Sequence, residues 1–166
     1  DSLGSEWQCG TIQLDMQLPE RFDLTYIDKD GSKKRPIMLH RVIFGSVERF
    51  IGILIEHFAG AFPLWLAPTQ MNIIPVNVEY HEEYAQEILH LSQENGFRVT
   101  LDVRNEKLSY KMRESVMKKI PVTVILGQKE VDENLISYRE FGSEETTTVT
   151  REEFLEYLHN RIVEKK

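Results

Sequence analysis

Residues 122–127 (VTVILG) form one unbroken apolar, β-branched run, the pattern of a strand buried on both faces at a sheet centre. Around it the chain alternates between strand and helix periodicity. Residues 71–78 (MNIIPVNV) read as a strand, and 80–95 as a helix with Tyr84, Ile88 and Leu91 on one face. Gly96 ends that helix; 97–103 (FRVTLDV) reads as a strand, and 107–119 as a helix that stops before Pro121. Two weaker strands are expected at 133–140 and 146–149. A closing helix over 151–164 carries Phe154, Leu158 and Ile162 at helical spacing, with Thr150 and Glu153 placed as a capping box. Alternating β and α elements imply an α/β domain: a mostly parallel or mixed sheet covered by helices.

The first part of the chain has another character. Residues 10–16 (GTIQLDM) alternate in strand fashion, a turn signal stands at Asp30-Gly31, and 36–44 (PIMLHRVIF) is a second strand candidate opened by Pro36. After Gly45-Ser46 comes a helical run through Val47, Phe50, Ile53, Leu54 and Phe58, with Ser46 as its N-cap and Gly60 and Pro63 at its end. Two or three strands and one helix cannot close a core alone, so this part is expected to lean on further sequence or on the second part. Trp65-Leu66-Ala67-Pro68 is the expected boundary, giving domains 1–64 and 65–166. The absence of an initiator Met leads us to expect a chain that starts inside something longer.

The 27 acidic and 20 basic residues give a net charge of −7, which argues against nonspecific nucleic-acid binding by the chain as a whole. The charge is uneven, however: residues 103–119 carry six Lys/Arg against two Glu, a basic island able to focus a polyanion. No apolar run approaches the ~18–20 residues of a membrane span, and the N-terminus lacks the regions of a signal peptide. The single cysteine, Cys9, rules out an internal disulfide and fits a reducing compartment, so a cytoplasmic protein with no membrane partner is expected.

The sequence holds no Gly-rich phosphate loop, no H-E-x-x-H, no nucleophile elbow and no CxxC pair, so a free-standing hydrolase or metalloenzyme has little support. Single residues remain. Arg49 sits in the first turn of a helix, where a guanidinium and the helix end together suit phosphate oxygens; pairing to Glu48 or Glu56 is the plainer reading. His40 lies mid-strand, and a lone strand histidine is more often a satisfied core residue than a metal ligand. Gln8 and Gln13 flank a Gly-containing strand, where amides can read an adenine edge or satisfy backbone groups. Arg104-Asn105 ends a strand, where ligands of α/β sheets bind, Lys118-Lys119 ends the next helix, and Glu130 and Arg139 flank a late hairpin. Arg, Asn, Lys and a carboxylate converging on one edge could read bases, or could form only a charged rim.

Together these residues take on a sharper meaning. WQCGTIQLD (7–15), HRVIFGSVERFIGILIEHFAG (40–60), FPLWLAPTQ (62–70), DVRNEKLSYKMRE (102–114) and VILGQKEV (124–131) resemble, in order and spacing, the threonyl-tRNA synthetases. GSVERF resembles motif 3 of the class II enzymes. The resemblance implies the remnant of an antiparallel catalytic sheet, followed by a three-layer anticodon-binding domain with a mixed five-stranded sheet. It implies that Arg49 contacts ATP and stacks on its adenine, with Mg2+ as activator, and that Gln8, Gln13 and Ser46 line the adenylate and threonine pocket. It further implies that His40 is one of three ligands of a Zn2+ that selects threonine by its hydroxyl, the other two lying upstream. Asn105, Lys119, Glu130 and Arg139 match positions that read the anticodon of threonine tRNA, and the basic island would anchor phosphates. The parent would be a homodimer acting on threonine, ATP and tRNA, while these 166 residues alone are expected to be catalytically incomplete. A stand-alone anticodon-binding module without catalysis is the alternative.

Overall fold

A computed structural model describes residues 1–165. The chain divides into two compact units, Asp1–Phe58 and Ala59–Lys166. The division falls ahead of Trp65 because Leu64 is buried in the core of the second unit, so the LAPTQ junction is part of that unit rather than a hinge before it.

In the first unit, β1 (Thr11–Asp15) pairs antiparallel with β4 (Met38–Val42), with Gln13 opposite His40. Between them lie a short helix α1 (Gln17–Arg21) and a small hairpin of β2 (Tyr26–Ile27) and β3 (Lys33–Lys34). That hairpin turns at the expected Asp30-Gly31, where Asp30 accepts from the Ser32 N–H and hydroxyl. Helix α1 lies in a stretch that carries no apolar period; Asp15 starts it by accepting from the Gln17 and Leu18 N–H groups at 2.8 and 3.0 Å. Helix α2 (Val47–His57) begins at Ser46, whose hydroxyl accepts from Arg49 N–H as a Ser N-cap does.

The second unit holds a five-stranded sheet ordered β6-β5-β7-β8-β9: β5 (Met71–Pro75), β6 (Val99–Leu101), β7 (Val122–Leu126), β8 (Leu135–Glu140) and β9 (Thr147–Thr150). Strands β6, β5 and β7 are parallel, while β8 runs antiparallel to both of its neighbours, β7 and β9, so the sheet is mixed. Helices α3 (Val78–Glu94), α4 (Leu108–Met117) and α6 (Arg151–Val163) match the expected order. Helix α5 (Gln128–Glu133) was not legible, since its six residues show no apolar face.

Strand alternation gives the sheet two unlike faces. One presents Met71, Ile73, Val122, Val124, Leu126, Ile136 and Tyr138, which pack with Tyr84, Ala85 and Ile88 of α3 and Phe154 and Leu158 of α6. The opposite face carries an in-register polar row of Thr100, Asn72, Thr123 and Arg139. Thr100 donates to Asn72 Oδ1 at 3.0 Å, and Thr123 shares a 2.7 Å hydrogen bond with Ser115 of α4. The capping box at α6 forms as expected, with Thr150 and Glu153 exchanging hydrogen bonds.

Candidate functional site

In the first unit the residues singled out gather around two points. The Arg49 guanidinium lies 5.3 Å from the centre of the Trp7 ring and donates to the Gln8 carbonyl at 3.4 Å. The turn before α2 permits this approach: Gly45 has φ +66°, and a Cβ there would stand 3.0 Å from Arg49 Nη2. Neither expected carboxylate pairs with Arg49. Glu48 accepts from the Ser46 hydroxyl at 2.9 Å, and Glu56 from the Ser2 hydroxyl. Arg49 therefore has no acidic partner among the described residues. The Gln8 side chain donates to Thr11 Oγ1 at 2.9 Å.

The second point is His40. It is no core residue, its side chain being 40% exposed, and its Nε2 lies 2.9 Å from Asp15 Oδ2. Gln13, Asp15 and His40 share one face of the ribbon through the cross-strand register. The Leu18 N–H, followed by the His40 ring, holds the Asp15 carboxyl below the usual aspartate range against the upward push of burial. A carboxylate that accepts from one ring nitrogen fixes the imidazole and leaves a lone pair on the other, the arrangement seen behind metal-bound histidines. Among the described residues, however, no three His, Cys, Asp or Glu converge.

In the second unit, the loop that carries Asn105 and the first turn of α5 that carries Glu130 follow the C-terminal ends of β6 and β7, the sheet edge where α/β ligands bind. Glu130 reaches back to the start of α5, accepting from Gly127 N–H at 2.9 Å through Oε2 and from the Ser137 hydroxyl at 2.7 Å through Oε1. A Cβ at Gly127 would meet Glu130 Oε2 at 3.2 Å and Val76 at 3.4 Å, so glycine lets the carboxylate sit there. Burial pushes the Glu130 carboxyl up, but the hydrogen bonds from Ser137 and Gly127 outweigh it and keep it below the usual glutamate range. Ser137 also bonds Thr148 at 2.7 Å. Arg139 lies two residues along β8 on the same face, one Nη donating to Thr146 at 3.0 Å and its Nε buried with no partner among the described residues.

Lys119 stands apart from Asn105 and Glu130. It precedes β7, so it lies at the opposite end of the strands from Asn105 and Glu130. Its ammonium donates to the Ala59 carbonyl, and its backbone closes α4 at φ +53° in a Schellman turn, with Ile120 N–H on Ser115 O at 3.2 Å. The basic island is likewise smaller than its sequence: Lys111 is buried, and Arg104 is tied to Asp102 and Glu114. Lys107, Arg113 and Lys118 remain exposed without an ion pair among the described residues. Asp15, Ser137 and Lys111 are the contributors that sequence reasoning missed. Only the period-2 pattern, which puts Asp15 on the face of Gln13, offered a signal for any of them.

No helix among the described residues is long and apolar enough to cross a membrane. A family model for the class II tRNA synthetase core domain (G, H, P, S and T) matches residues 1–58, and one for the anticodon binding domain matches residues 70–161. A threonine–tRNA ligase of Caldanaerobacter subterraneus is 53% identical over 165 residues, 99% of this chain. One of Carboxydothermus hydrogenoformans is 54% identical over 166 residues, the whole of it. In each case this chain spans only 26% of the relative's length. The solved RNA binding domain of threonyl-tRNA synthetase from Cryptosporidium parvum superposes with a TM-score of 0.84 at 32% identity, covering 97% of this chain and 41% of that one. The chain therefore belongs to the threonyl-tRNA synthetase family of class II aminoacyl-tRNA synthetases, joining core-domain sequence to an anticodon-binding domain.

Proposed function

We propose that the chain is the part of a cytoplasmic, homodimeric threonine–tRNA ligase that reads the anticodon of threonine tRNA and completes the nucleotide pocket. In the parent, threonine is activated with ATP and Mg2+ and transferred to the 3′ end of the tRNA. Arg49 is the motif 3 arginine, held by Trp7 and the Gln8 carbonyl so that its free charge faces the nucleotide. Ser46 holds the helix that carries it, and Gln8 and Gln13 line the pocket. His40, steadied by Asp15, contributes one ligand to a zinc ion whose other ligands come from outside these 166 residues. With that set incomplete, the 166 residues alone neither activate threonine nor bind zinc tightly.

The observation that carries the anticodon reading is the polar face of β8. Ser137 there is bonded to Glu130 of α5, and Arg139 stands two residues along the same face with a buried Nε still unpaired among the described residues. Glu130 presents acceptors suited to exocyclic amines, and Arg139 presents the fork that suits guanine. Asn105, at the C-terminal edge, adds a donor and an acceptor. Lys119, placed at the far end of the strands, is left with the phosphate backbone at most.

Arg139→Lys tests this reading because it preserves charge and removes the fork. The expected result is an unchanged salt slope of tRNA binding, with about 5- to 150-fold of discrimination against one altered anticodon base lost. Intact discrimination in that variant would remove Arg139 from base reading.

A further inference from the structure

We infer that Lys111 is a positioning residue, its buried ammonium fixing the 102–107 loop so that Asn105 meets a base in one orientation. The inference rests on the base-reading role proposed for Asn105. Lys111 is 1% exposed and is among the largest fully buried side chains of the described residues. A buried ammonium is costly unless it is paired, and a methionine would fill the same space on α4 without that cost. The Lys111 Nζ donates to the carbonyl oxygen of Asp102 at 3.1 Å, so its charge acts on the first residue of the loop.

The rest of the loop is tied from that point. Asp102 N–H donates to Ile73 O at 2.9 Å, which carries the β6 ladder one residue further. The Asp102 carboxylate accepts from Arg104 N at 3.2 Å, Nε at 2.9 Å and Nη2 at 2.6 Å. Arg104 is clasped from the other side by Glu114 of α4, and Glu106 N–H donates to Arg104 O at 2.9 Å. The backbone is thus held at 102, 104 and 106, on both sides of Asn105. Asn105 itself is exposed on the rim of a cleft of about 410 Å³ that Lys111, Asn77 and Glu106 also line, and its side chain makes no hydrogen bond among the described residues. A short loop without regular structure is ordinarily mobile. Here the backbone is fastened on both sides of a free Asn105 side chain, and specificity depends on a recognition group being held closely.

The test uses the whole 166-residue chain, a threonine-tRNA transcript and the same transcript with single altered anticodon bases. Asn105→Ala is expected to lose about tenfold of discrimination at one base. Lys111→Met should lose most of that discrimination and weaken hydrogen-exchange protection at the Glu106 amide. Combined with Asn105→Ala it should cost no more than Asn105→Ala alone, because both act through one side chain. Additive losses, or full discrimination in Lys111→Met beside a defective Asn105→Ala, would overturn the positioning role while leaving base reading intact. Full discrimination in Asn105→Ala would instead remove Asn105 from base reading and, with it, the inference. Should Lys111→Met not fold, Glu114→Gln releases the same loop from the surface. It should give the same loss at the same base, and unchanged discrimination there would sink the idea.

Discussion

The two units of this chain hold their elements in opposite ways. Residues 59–165 enclose a core running from Leu64 through the central strand to Leu158, with Met71, Ile73, Ile74, Val124, Leu126, Ile136 and Phe154 at 0% exposure. Among residues 1–58 only Pro19 is buried. There, Ile12, Leu14 and Leu39 share the ribbon face opposite His40 and are 69, 63 and 65% exposed. Local signals still shape the first unit: a Ser46 cap, an Asp15 helix start, a Gly45 turn. Capping and register therefore fix secondary structure without a core, whereas the second unit adds burial and can be expected to unfold as a cooperative body.

The largest difference should appear in core truncations. Leu126→Ala is expected to cost about 2–5 kcal/mol, while Leu14→Ala stays within about 0.5 kcal/mol. Each unit carries one tryptophan, Trp7 or Trp65, so urea melts followed by fluorescence in Trp7→Phe and Trp65→Phe backgrounds separate the two. Equal costs would erase the contrast. Thr150→Ala, which breaks the capping box of α6, should cost the second unit about 1 kcal/mol in the same melts. Ser46→Ala, at the matching position of α2, should leave that transition where it is.

A gain of about 0.5–1 kcal/mol is expected from Lys119→Gly, because φ +53° suits glycine and the lost Ala59 contact is at the surface. Thermal melting would show it as a small upward shift. The smallest effect is in acid. The Arg104 side chain holds the Asp102 carboxyl below its usual range, against burial. Such a group stabilises the fold above the ordinary aspartate value of about 3.9, and that contribution is lost as pH falls toward its lower folded value. Asp102→Asn should therefore flatten the fall in stability below about pH 4, and an unchanged acid limb would contradict it.

The second unit was the more legible because periodicity reports burial. VTVILG became the central strand, and Phe154, Leu158 and the Thr150 cap marked α6. What stayed hidden depends on where elements end up in space. Asn105 and Lys119 are fourteen residues apart in sequence, and the ten residues of α4 between them span about 15 Å along the helix axis, which separates them along the strands. The pairing of His40 with Asp15 is a cross-strand contact over 25 residues that no local spacing announces. Lys111 looked like part of a basic surface, since charge alone does not reveal that a helix turns one lysine inward. Helix α5 was lost between a strong strand before it and a turn after it, its start resting on the Glu130 return to Gly127 rather than on apolar spacing.

The central claim is that the second unit reads anticodon bases, and the direct measurement is a binding titration at one fixed, moderate salt concentration. It compares a threonine-tRNA transcript with transcripts altered at the second and third anticodon bases. Tight binding to the first is expected, with about 5- to 150-fold weaker binding for each altered base. Equal, salt-sensitive binding to all three would mean that only the exposed lysines and arginines act, and would contradict base reading by Asn105, Glu130 and Arg139.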